Sequence, residues 1–164
     1  MTVAIDTPLL IVGGGPAALV VATVVSGYSM GSLIIGHEPV CADELVELDA
    51  DVLEILKPHG VINVLLPYAD SIDPVVINAS VFEQVLKHHC VVNMNITLYD
   101  GMVLSNVKRE GPGASAIMID GQTQWSISAD HLVDTSGISV DLNDAIRAGA
   151  AAAGEIIGPL DLTA

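Results

Sequence analysis

Residues 9–18 read Leu-Leu-Ile-Val-Gly-Gly-Gly-Pro-Ala-Ala, an apolar run that halts on three glycines and a proline. A short run of Leu, Ile and Val bounded by glycine has the pattern of a fully buried strand. Pro16 stands where the first turn of a helix tolerates its missing N–H. From Pro16 to about Ser26 the residues are small or apolar, and Gly27 stops the helix they form. Ser32-Leu33-Ile34-Ile35-Gly36 then reads as a second buried strand. Strand, helix and strand within about thirty residues make a βαβ crossover, which is nearly always right-handed.

The connecting turn carries its own chemistry. Gly13-Gly14-Gly15-Pro16-Ala17-Ala18 fits the pattern G-x-G-x-x-G/A, placed after a strand and opening a helix. Gly13 permits the tight turn, and Gly15 lets the backbone approach a pyrophosphate closely. Ala18 is small enough for helix and strand to pack. The helix N-terminus, with Pro16 and Ala17 in its first turn, then faces the phosphates. Glu38 lies 23 residues after Gly15, at the end of the second strand. An acid there can accept hydrogen bonds from the two hydroxyls of an adenosine ribose and would repel a 2′-phosphate, which disfavours NADP. His37 is the neighbouring candidate if the strand register shifts by one. The same residues also suit a glycine-rich turn without a ligand, and Glu38 a solvated surface carboxylate.

Composition narrows the partners. Twenty acidic residues against five basic ones give a formal net charge of −15, which repels nucleic acid backbones and anionic lipid heads. With so few cations, backbone N–H groups and a helix dipole must hold a pyrophosphate. Aromatic residues are only 3% of the chain, so its core must be built from Val, Ile, Leu and Ala, as in buried parallel strands. Cys41 and Cys90 form neither a CxxC pair nor a disulfide framework, which fits a reducing compartment, and a cytoplasmic location is expected. Residues 1–6 have no basic segment of the secretory type. The uncharged run from Leu9 to Val25 is broken by its glycines, so a membrane span is not expected.

Beyond Pro39 the apolar spacing from Asp43 to Leu56 reads as a helix ended by Pro58, while residues 61–76 are assigned to no element. A helix over Val81–His89 starts near the capping residues Asn78 and Ser80. Asn93 to Tyr99 reads as a strand with Met94, Ile96 and Leu98 inward. Met102–Arg109, Ser115–Ile119 and Thr123–Ser128 form a three-stranded meander, with Asp120-Gly121 as a hairpin turn. His131–Asp134 returns as a buried strand ending at Thr135-Ser136-Gly137, and Asp144–Ile157 is a final Ala-rich helix. Cys41 reads as a small buried thiol and Trp125 as packing. His88-His89-Cys90 are adjacent on a helix and diverge, so no metal is expected.

The stretches 9–18 and 32–38 resemble the FAD domain of thioredoxin-reductase-like flavoproteins, in the FAD-dependent pyridine-nucleotide oxidoreductase family. The meander followed by Asp134-Thr135-Ser136-Gly137 is similar to that family's insert and its "ATG" strand, and also to the "DASG" ending of flavin hydroxylases and prenyl reductases. The last helix resembles the one whose N-terminus faces the flavin side. The resemblance implies FAD as cofactor, with Gly137 lining the flavin approach. It departs from the family in three places. No second GxGxxG follows, no redox CxxC is present, and the Gly-Asp that would reach the ribityl chain is replaced, with Asp141 as a loose substitute.

The sequence therefore predicts one α/β domain over residues 1–164: a Rossmann-like parallel sheet, helices on both faces, and a meander at about 102–128. Gly13, Gly15, Pro16, Ala17, Ala18, Glu38 and Gly137 are the cofactor-binding candidates, and no catalytic residue can be named. The expected function is an FAD-holding module or subunit of a flavin-dependent oxidoreductase, completed by a second protomer or a partner chain. The alternatives are a non-catalytic Rossmann-like protein with an empty site and a small self-sufficient flavoenzyme.

Overall fold

The apolar run that ends at Gly13 is the inner half of a longer strand. In the computed structural model, which describes residues 2–100, 102–138 and 141–161, the opening unit is β1 (Thr2–Val12), α1 (Gly15–Ser26) and β2 (Ser32–Ile35). Next come β3 (Leu45–Glu47), α2 (Ala50–Leu56), α3 (Val61–Leu65), β4 (Ser71–Ile72) and β5 (Val75–Asn78). The remainder is α4 (Ala79–Val91), β6 (Ile96–Tyr99), β7 (Val103–Glu110), β8 (Gly113–Asp120), β9 (Thr123–Asp134) and α5 (Leu142–Asp161).

Six strands form the main sheet in the order β6-β2-β1-β9-β8-β7. The first four run parallel, and β8 and β7 join antiparallel. The α/β class expected from the sequence is the one found. Leu9, Ile11 and Ile34 point to the face that carries the helices, where they cluster with Leu19, Val21, Phe82, Leu86 and Ile146. Leu10, Leu33 and Ile35 point the other way and cluster with Ala116, Met118 and Ile127. The second face is thus covered by the meander, where the sequence reading had placed further helices.

Every residue of α1 from Gly15 to Val25 is buried, which explains why its sequence is apolar all round. Each fully buried Leu or Val there contributes roughly 1.5–3 kcal/mol of transfer free energy. Helix α5 packs directly on α1 at Gly149, where a Cβ would lie 2.7 Å from the Ala17 carbonyl oxygen. Arg147 holds α5 to the start of α2 through ion pairs with Asp49 and Asp51. The Asn78 side chain caps α4 by accepting from the Val81 N–H at 3.3 Å.

Four sequence expectations are corrected. The helix read over Asp43–Leu56 is instead the strand β3 followed by α2. Leu45 to Leu48 alternate in exposure, and Val46 pairs with Ile77 of β5 in a separate three-stranded sheet. The third meander strand does not stop at Ser128: it runs on through His131–Asp134 as the single strand β9. The strand β1 begins at Thr2, because β9 supplies a parallel partner from Thr2 to Val12 while β2 supplies one only from Leu9. Met94 is fully exposed rather than inward, and β6 starts two residues later at Ile96.

Candidate functional site

The turn between β1 and α1 has two residues in the positive-φ region, Gly13 at 122° and Gly15 at 83°. Their surroundings are equally restrictive. A Cβ on Gly13 would stand 2.5 Å from Thr135 Oγ1, and one on Gly14 would stand 2.6 Å from the Glu38 carbonyl oxygen. A Cβ on Gly15 would stand 3.0 Å from a Val40 methyl. The end of β9 and the 38–40 segment thus press on the turn from two sides.

Together these segments enclose a cavity of about 100 Å³ at the N-terminus of α1. Gly14, Gly15, Pro16 and Ala17 form its floor, and Val40, Thr135, Ser136 and Ile138 form its walls. No side chain caps α1. The Gly15 N–H donates to the Glu38 carbonyl at 3.0 Å, and Pro16 has none to give. Gly14 and Ala17, both lining the cavity, carry the remaining first-turn donors that the helix does not use internally. First-turn N–H groups at the positive end of a buried helix dipole suit an anion. The lining residues bear no charge, so backbone dipoles carry that preference.

The walls are held by their own bonds. The Thr135 N–H donates to the Val12 carbonyl at 2.8 Å, and its hydroxyl lies 3.4 Å from the carbonyl oxygens of both Val12 and Gly14. The Asp134 carboxylate accepts from the Ser136 N–H at 2.9 Å and its hydroxyl at 2.6 Å, which holds the Asp134 carboxyl below its ordinary pKa. His37 is 3% exposed, and its Nε2 lies 3.1 Å from the Gly15 carbonyl oxygen. That oxygen can only accept, so Nε2 carries the proton. Burial pushes the His37 pKa down. On the far side of the segment, the buried Glu83 carboxylate accepts from the N–H groups of Val40 at 2.9 Å and Cys41 at 3.1 Å. Burial, with Glu83 beside it, pushes the Cys41 thiol up to about 12, so it is not a thiolate nucleophile near neutrality.

The structure brings most of the sequence candidates together. Gly15, Pro16 and Ala17 line the cavity, Gly13 forms the turn behind it, and Ala18 is fully buried in the helix-side core. The Glu38 side chain is exposed, and its backbone touches the turn. With Glu38 exposed and His37 buried, the acid rather than the histidine is available to solvent. Gly137 does not line the cavity; Thr135, Ser136 and Ile138 do. Asp141 is an N-terminal cap of α5, accepting from the Asp144 N–H at 3.0 Å. Val40, Thr135 and Glu83 were missed as site residues, while His37, the alternative to Glu38, binds the turn rather than facing solvent. Only Thr135 had a signal, its place in the Asp134–Gly137 ending.

Other features lie apart. The Cys90 thiol is buried against Thr23 at 3.4 Å, while His88 is exposed on the other side of α4. Among the described residues no group of three His, Cys, Asp or Glu is placed to hold a metal ion. Trp125 packs with Tyr99, ring centroids 6.4 Å apart. A larger surface trough of about 720 Å³, lined by Val64, Tyr68, Val81 and Val92 among others, holds none of the glycine-turn residues. Among the described residues no helix is long and apolar enough to cross a membrane.

No family model and no curated protein matches the sequence. The solved structures do. The flavin-dependent monooxygenase PieE in complex with FAD and substrate superposes with a TM-score of 0.67 at 18% identity, over 82% of this chain and 31% of that one. Over the part that superposes, this chain shares that protein's fold. A flavoprotein/dehydrogenase from Cytophaga hutchinsonii gives a TM-score of 0.61 at 16% identity, covering 81% of this chain and 40% of that one. OxyS anhydrotetracycline hydroxylase from Streptomyces rimosus gives 0.63 at 15% identity, covering 79% and 31%. The chain therefore spans between about a third and two-fifths of the length of these proteins.

Proposed function

We propose that this chain binds FAD and serves as the cofactor-holding module of a flavin-dependent oxidoreductase. The carrying observation is the cavity at the N-terminus of α1, which Gly14 and Ala17 line between the positive-φ glycine turn and the end of β9. Its volume of about 100 Å³ suits phosphate rather than a whole dinucleotide, since pockets that enclose drug-sized ligands run to roughly 300–1,000 Å³. The adenosine and flavin arms would therefore lie along the open surface to either side. In this reading the α1 N-terminus holds the pyrophosphate, Thr135 and Ser136 wall it, and the exposed Glu38 carboxylate accepts from the adenosine ribose. FAD supplies the redox chemistry when bound, and the chain supplies position and electrostatics.

The fold neighbours are a monooxygenase, a hydroxylase and a dehydrogenase, each named for flavin chemistry or for the reaction it performs. They support the FAD-holding half of the sequence resemblance without favouring its thioredoxin-reductase-like branch. These 164 residues carry no second GxGxxG and no CxxC, so substrate and electron-donor groups would lie outside them, in the same polypeptide or in a partner.

A second reading has its own observation. The Glu38 carbonyl and the Val40 side chain already occupy the close approach that Gly14 and Gly15 permit, and Glu38 takes the Gly15 N–H. A non-catalytic protein whose own loop fills the cradle would look this way. Mass spectrometry of small molecules released by denaturing the purified protein separates the two. FAD in near-stoichiometric amount supports the first reading; protein that releases no nucleotide and takes up no added FAD supports the second.

A further inference from the structure

Glu83 is the one carboxylate among the buried described residues, at 2% exposure, on a helix face flanked by the fully buried Phe82 and Leu86. Removing a carboxylate from water is costly, and an apolar side chain of similar volume is commonly the more stable choice. The compensation here is specific. Glu83 Oε1 accepts from two successive backbone N–H groups, those of Val40 and Cys41. Glu83 Oε2 has no hydrogen-bond partner at ordinary geometry among the described residues, and the Cys41 thiol lies beside the carboxylate.

The 37–41 segment that receives it has no regular structure, yet it is tied at three places. His37 bonds the Gly15 carbonyl, Gly15 bonds the Glu38 carbonyl, and Glu83 holds Val40 and Cys41 from behind. The first two ties join the segment to the glycine turn, and the third joins it to α4. We propose that Glu83 is a positioning residue of the dinucleotide site: its carboxylate pins the 38–41 segment on the glycine turn and so fixes where the Glu38 carboxylate stands relative to the α1 N-terminus. The inference rests on the FAD reading above for the identity of the ligand, and on the bond geometry alone for the pin.

A charged acceptor suits this task because a carboxylate oxygen binds two N–H groups more strongly than an amide oxygen does. Glu83→Gln keeps that oxygen. Glu83→Leu removes it, and Glu83→Asp keeps the charge but draws it back by one methylene, which serves if the leucine variant fails to fold.

The test has two arms. In ligand-free protein, amide hydrogen exchange at Val40 and Cys41 should accelerate strongly in Glu83→Leu or Glu83→Asp and less in Glu83→Gln, with the α1 amides unchanged. Unaltered protection at Val40 and Cys41 overturns the pin. In the second arm ADP, which carries the ribose and pyrophosphate, is titrated calorimetrically into wild type, Glu83→Leu (or Glu83→Asp), Glu38→Ala and the double variant. The Glu83 variant should bind ADP about tenfold more weakly, a loss the double variant should not add to that of Glu38→Ala. Additive losses, or wild-type affinity in the folded Glu83 variant, overturn the positioning role. Wild type that binds neither ADP nor FAD overturns the FAD reading and any role of Glu83 toward that ligand, while the exchange arm still decides the pin.

Discussion

His37 and Gly15 are joined by a bond from the buried imidazole Nε2–H to the glycine carbonyl oxygen, at 3.1 Å, and the Gly15 N–H turns back to the Glu38 carbonyl at 3.0 Å. The residue that lets the turn come close is thus clamped by the pair that follows β2. The clamp uses one face of the turn and leaves the N-terminus of α1 open to the cavity.

The burial of His37 makes stability depend on pH, and its bond to the Gly15 carbonyl works against that shift. Burial lowers the His37 pKa below its ordinary 6.5, and burial lowers those of His59 and His89 as well. The unfolded chain therefore binds protons at higher pH than the folded one, and stability is full above about pH 6.5. It falls as pH drops from there toward the folded-state pKa values. Thermal melts across this range should show a midpoint that declines on acidification. His37→Gln, which retains a donor for Gly15 but cannot titrate, should show a shallower decline; an unchanged slope would remove His37 from the account.

The glycine turn should be intolerant in two distinct ways. Gly13→Ala places a methyl 2.5 Å from Thr135 Oγ1 at a φ of 122°, and should cost roughly 1–3 kcal/mol in urea unfolding. Gly15→Val adds branches beside Val40 and into the cavity, and should abolish FAD uptake in equilibrium dialysis. Uptake that survives Gly15→Val would mean that the cofactor lies elsewhere.

Helix α5 offers a paired test of packing. Gly149→Ala drives a methyl to 2.7 Å from the Ala17 carbonyl and 3.0 Å from Val20 Cβ, and should destabilise by roughly 1–3 kcal/mol. At Gly154, in the same helix, a Cβ would meet nothing within 4 Å. There Gly154→Ala should stabilise by about 0.5–1 kcal/mol, because alanine loses less backbone entropy on folding. Equal effects at the two positions would contradict the α1–α5 contact.

How legible these features were depended on whether one chain segment contained the whole signal. The strand-turn-helix path of 9–18, the Asn78 cap and the Asp120-Gly121 hairpin are local, and their conformations stand as read: Asn78 accepts from Val81, and Gly121 takes a φ of 57°. The strand β3 was read as helix because Leu45, Val46 and Leu48 satisfy both periods. Its partner β5 begins near residue 75, beyond the reach of any local pattern. Thr135 outranks Gly137 in the cavity because β9 delivers it against Gly13, a register set by the pairing of Val12 with Asp134. Glu83 was silent for a simpler reason. On a helix, a carboxylate that will be buried is written the same way as one that faces water.

Whether the α1 cavity takes a dinucleotide is tested most directly by a fluorescence titration of purified protein with FAD and, separately, FMN. FMN has the flavin and one phosphate but lacks the adenosine that Glu38 would hold. The expected result is saturable binding of FAD, one per chain, with a flavin absorption band at about 450 nm in the complex and far weaker binding of FMN. Protein that binds neither, or binds both equally, would contradict it.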